Sequence, residues 1–152
     1  MHATFEHGQR GFGLVESLVA LVVISVGMIG IAVLYGQGLG ASRTALNRTQ
    51  AVNLAADMAD RIRSNRRGGA SYGGAGADNN CEAGGGTDCT TAQLAAHDVW
   101  EWEAQVEALL PGGVGTVEYA GTTPPTYTIR VEWQEPVGGE QGVEFAIRVP
   151  AL

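Results

Sequence analysis

The chain has 152 residues and carries nine basic residues, all arginine, against 16 acidic ones, for a net charge of −7. This length suits one small domain with one additional element, and the acidic balance argues against nucleic acid as the main partner, because phosphate backbones require a basic surface. Only His2, His7 and His97 are present, so histidine-rich metal sites and Ser/His/Asp triads are hard to build. We therefore expect neither an enzyme nor a cofactor or metal site.

The first strong pattern is an apolar run at residues 12–35, FGLVESLVALVVISVGMIGIAVLY, with Glu16 as its one charged residue. As a helix the run would be ~36 Å long, enough to cross the ~30 Å apolar core of a bilayer. A secretory signal peptide fits less well, since its apolar region is usually about 7–15 residues long and ends at a small-residue cleavage site. The run predicts a membrane-spanning helix, and an acidic residue inside such a helix is a candidate functional residue.

The helical pattern continues beyond the apolar run to about Asn65. Apolar residues recur every three or four positions and so share one helix face: Ala51, Val52, Leu54, Ala55, Met58, Ala59 and Ile62. We expect one long helix in two parts. Residues 12–40 form a stem that is apolar all round, and residues 41–67 form an amphipathic part that lies against a domain.

A change of charge marks the end of this helix. Through residue 67 the chain has seven arginines against four acids, a net charge of +3, and beyond it two arginines against 12 acids, a net charge of −10. Four arginines form a basic collar at the boundary: Arg61, Arg63, Arg66 and Arg67. The collar either pairs with acidic surfaces of neighbouring molecules or covers the helix end, and we favour the second. The glycine-rich segment at 66–86 predicts a loop.

Residues 68–152 predict a globular head. A helix is expected at about 91–110, with one apolar face of Ala95, Val99, Trp102, Val106 and Leu109, a threonine cap at Thr90 or Thr91, and an end at Pro111. Four acidic residues of this helix are interpreted as a solvated face rather than an acid/base pair: Asp98, Glu101, Glu103 and Glu107. His97 has no nucleophile in evident partnership.

Three strand signals complete the head, at residues 114–120, 127–133 and 143–149. The second and third alternate apolar with polar residues, which indicates one buried and one solvated face of an antiparallel sheet. The segments between them are rich in turn residues, so a meander is the simplest topology. The sequence thus predicts an α+β fold.

The order RGFGLVE at residues 10–16 resembles the prepilin signature. The resemblance implies a leader of residues 1–11, which a prepilin peptidase removes between Gly11 and Phe12 before Phe12 is N-methylated. Two positions depart from the usual pattern, since Gly13 stands where threonine is usual and Val15 where isoleucine is common. Neither change removes the glycine, the aromatic residue or the glutamate of the signature.

Cleavage would make Glu16 the fifth residue of the mature chain and give Phe12 a cationic amine. In a filament of staggered helices, the carboxylate of one subunit can meet the amine of a neighbour. Either charge alone would be costly in apolar surroundings. Glu16 is therefore the candidate residue for setting the axial register.

The same signature implies that the stem crosses the bacterial inner membrane once, with the head in the periplasm, before the subunit enters a pilus. In that oxidising compartment Cys81 and Cys89, the only cysteines, are expected to form a disulfide. Free thiols or half of a metal site are the alternatives, and neither has supporting ligands nearby.

The segment 98–113, with Trp100 and Trp102 before the sequence LPGG, resembles the PilV family of type IV pilus minor pilins. That resemblance implies a pilin-like fold, in which the long helix packs on a small antiparallel sheet. It also implies a subunit that helps to start the pilus together with other minor pilins and the major pilin, in a tip complex that can carry an adhesin and supports twitching motility. A pseudopilin of a type II secretion system and a simple membrane-anchored periplasmic binding domain are the alternatives.

Overall fold

The computed structural model describes residues 13–81, 88–135 and 138–149. The chain divides into two compact units between Ser42 and Arg43. The elements follow in the order α1 (Leu14–Ser64), a 3₁₀ helix (Arg66–Gly73), α2 (Thr91–Leu109), β1 (Val114–Ala120), β2 (Thr126–Glu135) and β3 (Gly139–Arg148).

The first unit contains the apolar part of α1. The helix starts at Leu14, where the backbone amides of Glu16 and Ser17 both donate to the carbonyl oxygen of Gly13, at 3.0 and 3.2 Å. By length and composition α1 is able to cross a membrane. The large apolar side chains between Leu14 and Leu39 are 55–86% exposed. The helix predicted over 12–65 is confirmed from Leu14 to Ser64, and Phe12 lies outside the described residues.

The second unit contains one sheet with the strand order β1-β2-β3 and antiparallel pairing throughout. Ile129 on the central strand pairs with Val117 on one side and Phe145 on the other. The predicted meander is confirmed. The segment at 134–142, expected to be a turn, is shorter than predicted because the strands run on until Glu135 pairs with Gly139.

The core of this unit is built by the C-terminal part of α1, by α2 and by one face of the sheet. Its largest fully buried side chains come from all of these elements and from the 3₁₀ helix: Trp102, Tyr72, Tyr127, Met58, Ile62, Ile129, Val99, Val106 and Val131. The α+β architecture with a long helix on a small antiparallel sheet is therefore confirmed.

Two residues predicted to face the core are instead exposed. Val52 is 36% exposed, at the edge of the buried face of α1, and Leu109 is 49% exposed. Because α2 ends at Leu109, the next residue takes an extended conformation, and Leu110 turns into the core with 2% exposure. Helical spacing does not apply past the end of a helix, so the periodicity selected the wrong leucine.

The loop predicted from residue 66 onward begins instead as the 3₁₀ helix. Tyr72 anchors it, since the side chain is fully buried and its ring packs edge-on against Tyr127 at 6.4 Å between centroids. A Cβ atom at Gly68 would lie 2.8 Å from Cε2 of Tyr72, so glycine is required for this packing. One tyrosine among glycines produces no periodic signal, which is why the pattern indicated a loop.

Candidate functional site

The processing site predicted at Gly11 and Phe12 lies outside the described residues. Glu16, the predicted register residue, lies in the first turn of α1 and is exposed. A carboxylate there also interacts favourably with the positive end of the helix dipole. Within the described part of the chain it forms no ion pair.

Glu16 lies within a continuous apolar surface. Leu14 is 86% exposed, Leu18 60% and Leu21 65%, and the pattern continues along α1 to Leu39. Soluble proteins rarely leave an apolar patch larger than a few hundred Å² in water. This surface therefore requires a cover of lipid or of other apolar helices.

Arg61 of the basic collar binds carboxylates of α1 and α2. Its guanidinium lies 2.9 Å from Asp57, 2.5 Å from Glu101 and 3.6 Å from Asp98. Burial alone would lower the pKa of Arg61, but the hydrogen bonds to Glu101 and Asp57 outweigh it and raise that pKa. Asp98 and Glu101 are therefore not simply solvated, as the sequence suggested, because they hold α2 against the end of α1.

Tyr72 extends this network toward the 3₁₀ helix. Its hydroxyl donates to Asp98 at 2.7 Å and lies 3.2 Å from the backbone oxygen of Arg61. Burial, together with the Asp98 carboxylate, raises the pKa of Tyr72 above its usual range. The Tyr72 hydroxyl therefore keeps its proton at neutral pH, and its hydrogen bonds join the 3₁₀ helix to α1 and α2.

A second polar cluster surrounds Glu135 at the end of β2, and sequence reasoning missed it. Trp133 donates its indole N–H to Glu135 at 2.8 Å, Thr44 donates its hydroxyl at 2.8 Å, and Asn47 donates its amide at 3.4 Å. The bond from Trp133, followed by that from Thr44, lowers the pKa of Glu135. This carboxylate ties the α1 turn at residues 44–47 to the sheet.

Cys81 and Cys89 are joined by a disulfide, with their sulfur atoms 2.04 Å apart. The segment before it runs along α2: the amide of Ala77 donates to the carbonyl of Ala96 at 2.9 Å, and the side chain of Asn79 donates to the carbonyl of Gln93 at 3.0 Å.

After the disulfide, Thr90 caps α2. Its hydroxyl accepts from the backbone N–H of Gln93, and the Gln93 side chain accepts from the backbone of Thr90. This reciprocal pair is a capping box. Of the two predicted caps, Thr90 is the one used.

Two glycines let the segment before the disulfide approach its neighbours closely. A Cβ atom at Gly73 would lie 2.6 Å from Cβ of Tyr119, and one at Gly76 would lie 2.6 Å from Cα of Trp100. Neither position therefore accepts a side chain without moving backbone. Over residues 13–81, 88–135 and 138–149, His, Cys, Asp and Glu side chains form no group of three suited to a metal ion.

Two family models match the chain in succession. Residues 7–32 match the prokaryotic N-terminal methylation motif, and residues 34–100 match the Tt1218-like family, described as type IV pilin Tt1218. These two matches support a type IV pilin. The motif match in a type IV pilin implies processing by a prepilin peptidase, and it includes the residues predicted for cleavage, Gly11 and Phe12.

The pilin family consists of structural subunits rather than enzymes. The apolar part of α1 and the methylation motif fit membrane anchoring and a place in a pilus. No curated protein and no solved structure matches the chain.

Proposed function

We propose that the chain is a minor pilin that is cut between Gly11 and Phe12, methylated on Phe12, and used at the pilus tip to start assembly with other minor pilins and the major pilin. The observation that carries this proposal is the exposed apolar helix with one carboxylate, Glu16, near its start, inside the segment 7–32 that matches the methylation motif. The choice of a minor pilin is supported by the resemblance of residues 98–113 to the PilV family. Adhesion and twitching motility are the activities it would support.

The proposed mechanism begins with storage of the subunit in the inner membrane, where lipid covers the apolar stem and the head lies in the periplasm. On assembly the stem moves from lipid into a bundle of other stems, so its apolar surface stays covered throughout. Glu16 then pairs with the N-terminal amine of a neighbour. Removing one member of a buried ion pair costs about 3–5 kcal/mol, which makes this pairing a strong selector of register.

Replacing Gly11 with valine tests the cleavage step. We expect intact-mass measurement of the purified variant to show residues 1–11 retained, because the bulky side chain blocks the peptidase. Gly13→Ala is the matched control, since a Cβ atom at Gly13 meets nothing within 4 Å, and this variant should be cut normally. A shortened and methylated Phe12 terminus in the Gly11 variant would refute the assigned bond. An uncut wild-type chain would instead favour the simple membrane-anchored binding domain.

Replacing Glu16 with alanine tests the register role. Insertion into the membrane should persist, since the change makes the stem more apolar, whereas the amount in sheared pili should fall by well over tenfold. Ser17→Ala, in the same turn, is the control and should leave incorporation unchanged. Immunoblots of membrane and pilus fractions measure both effects. Normal incorporation of the Glu16 variant would remove the carboxylate from the mechanism.

Deletion of the gene separates the two kinds of filament. Lost piliation and twitching, restored by the wild-type gene, would support the minor pilin. Blocked release of exoproteins with normal pili would support a type II secretion pseudopilin, which uses the same stem chemistry. Pull-down of candidate minor pilins with the full chain would then show which partners the head contacts.

A further inference from the structure

A groove with a cavity of about 630 Å³ lies between α2 and the start of β1. Its lining consists of Trp100, Glu103, Ala104 and Glu107 on α2 and residues 112–115 on the other side. Trp100 is 40% exposed and Val114 52% exposed. Exposed tryptophan in a concave surface is typical of residues that contribute most to protein association.

Trp100 is held in place from behind. Its ring stacks on His97 with the centroids 5.6 Å apart and the planes 21° apart, and His97 is only 4% exposed. The backbone of Gly76 packs directly against the backbone of Trp100. The indole is thus fixed before a partner arrives, so little conformational entropy is lost on binding.

Two carboxylates in the same groove lack a counter-charge. Glu103 and Glu107 form neither an ion pair nor a hydrogen bond with any described residue. Burial raises the pKa of Glu103, which means that its charge is partly desolvated without compensation. An aromatic face beside two carboxylates suits a guanidinium group, which stacks on tryptophan and donates hydrogen bonds in its own plane.

The complementary group is present elsewhere on the same head. In the basic collar, Arg61 and Arg63 are occupied by acids of the helices, but Arg66 and Arg67 are exposed and form no ion pair with the described residues. They line a second concavity of about 450 Å³, together with Thr91 at the start of α2. The sequence favoured a collar that covers the helix end. Only Arg61 and Arg63 pair with acids of the helices in this way.

The two surfaces cannot meet within one molecule. Thr91 and Glu103 are 12 residues apart on α2, which corresponds to about 18 Å along the helix axis. Within one molecule, the arginines therefore cannot neutralise the carboxylates of the groove. We infer that the groove at Trp100, Glu103 and Glu107 binds the Arg66–Arg67 turn of a second copy of this chain.

Such a contact is heterologous, because each copy contributes a different surface. A dimer made in this way still has one free groove and one free arginine pair. Further copies can therefore add in the same orientation, each through a groove to the arginines of the next molecule. This inference goes beyond the proposed function and does not depend on cleavage at Gly11 or on a role in a pilus.

The test uses the full chain in a non-ionic detergent and measures its dissociation constant by sedimentation at low salt. Glu103→Gln with Glu107→Gln, and separately Arg66→Gln with Arg67→Gln, should each weaken self-association about tenfold. The control for the arginine pair is Arg43→Gln with Arg48→Gln, which removes the same two positive charges from exposed positions of α1 and should leave the constant unchanged. Added salt should weaken the wild-type association, because exposed charges are screened.

Mixing the two weakened variants gives the sharpest result. The first variant retains its arginines and the second retains its groove, so a mixture should form a 1:1 dimer that grows no further. A wild-type chain that stays monomeric at low salt would overturn the inference. So would association that neither pair of changes weakens, or a mixture that fails to form the dimer. None of these results bears on piliation, so failure here is distinguishable from failure of the proposed function.

Discussion

Gly115 on β1 offers the sharpest test of the core packing. A Cβ atom there would lie 2.5 Å from Cζ3 and 2.7 Å from Cη2 of Trp102. The indole cannot easily withdraw, because Trp102 is fully buried and its N–H donates to the carbonyl of Leu54 at 2.8 Å. We therefore expect Gly115→Ala to force the ring or the strand to move.

The expected cost follows from two opposing effects. Overpacking of a core costs about 1–3 kcal/mol, while replacing glycine with alanine stabilises by about 0.4–1 kcal/mol through the unfolded chain. The net loss should be about 1–2 kcal/mol, and each kcal/mol corresponds to roughly 4 °C in a unit of the size of residues 43–152. Gly142→Ala on β3 is the matched control, since its nearest neighbour would be 3.5 Å away, and it should be neutral or slightly stabilising.

A double-mutant cycle isolates the contact itself. Trp102→Phe shortens the ring, so Gly115→Ala should cost less than about 0.5 kcal/mol in that background, a coupling within the range for residues in contact. Urea titration of the detergent-solubilised chain, followed by near-ultraviolet circular dichroism, gives the free energies of unfolding. An alanine variant as stable as wild type, or an equal cost in both backgrounds, would refute the packing argument.

Two further predictions concern Glu135 and the disulfide. The pKa of Glu135 is lowered in the folded state by Trp133. The carboxylate therefore stabilises the head above its unfolded pKa of about 4.3, and this stabilisation is lost as the pH falls through the folded value. Glu135→Gln should lower the melting temperature at pH 7 and flatten its decline below about pH 5, and parallel melting profiles of variant and wild type would contradict this. Replacing both Cys81 and Cys89 with serine should cost roughly 2–3 kcal/mol, since the cysteines are eight positions apart. An unchanged urea midpoint for this variant, with intact mass confirming the disulfide in the wild-type control, would contradict a stabilising role of the disulfide.

The elements with strong periodicity could be read directly from the sequence. Alternation places Ile129 and Val131 on the buried face of β2, and spacing of three and four places Met58 and Ile62 on the buried face of α1. Each of these signals is local, and burial of one face is what produces it. The N-terminal motif was equally readable, because the glycine, the aromatic residue and the acid stand at fixed positions.

The polar clusters could not be predicted in the same way. Thr44 and Glu135 are 91 positions apart, and no local pattern indicates that one donates to the other. For the same reason, the sequence could not show which acids of α2 are paired. Glu101 forms an ion pair with Arg61 of α1, whereas Glu103 has no such partner among the described residues. Which acid is paired depends on how the helices are placed, and helix placement is a tertiary property.

The close approach of Gly73 and Gly76 to Tyr119 and Trp100 restricts how the chain can change over evolution. The segment has a fixed length up to Asn79, because one added residue would move both glycines out of contact and shift the bond between Asn79 and α2. An insertion between the two cysteines only enlarges a covalent ring. Related chains should therefore differ in the number of residues between the two cysteines and keep the same number of residues between Gly73 and Asn79.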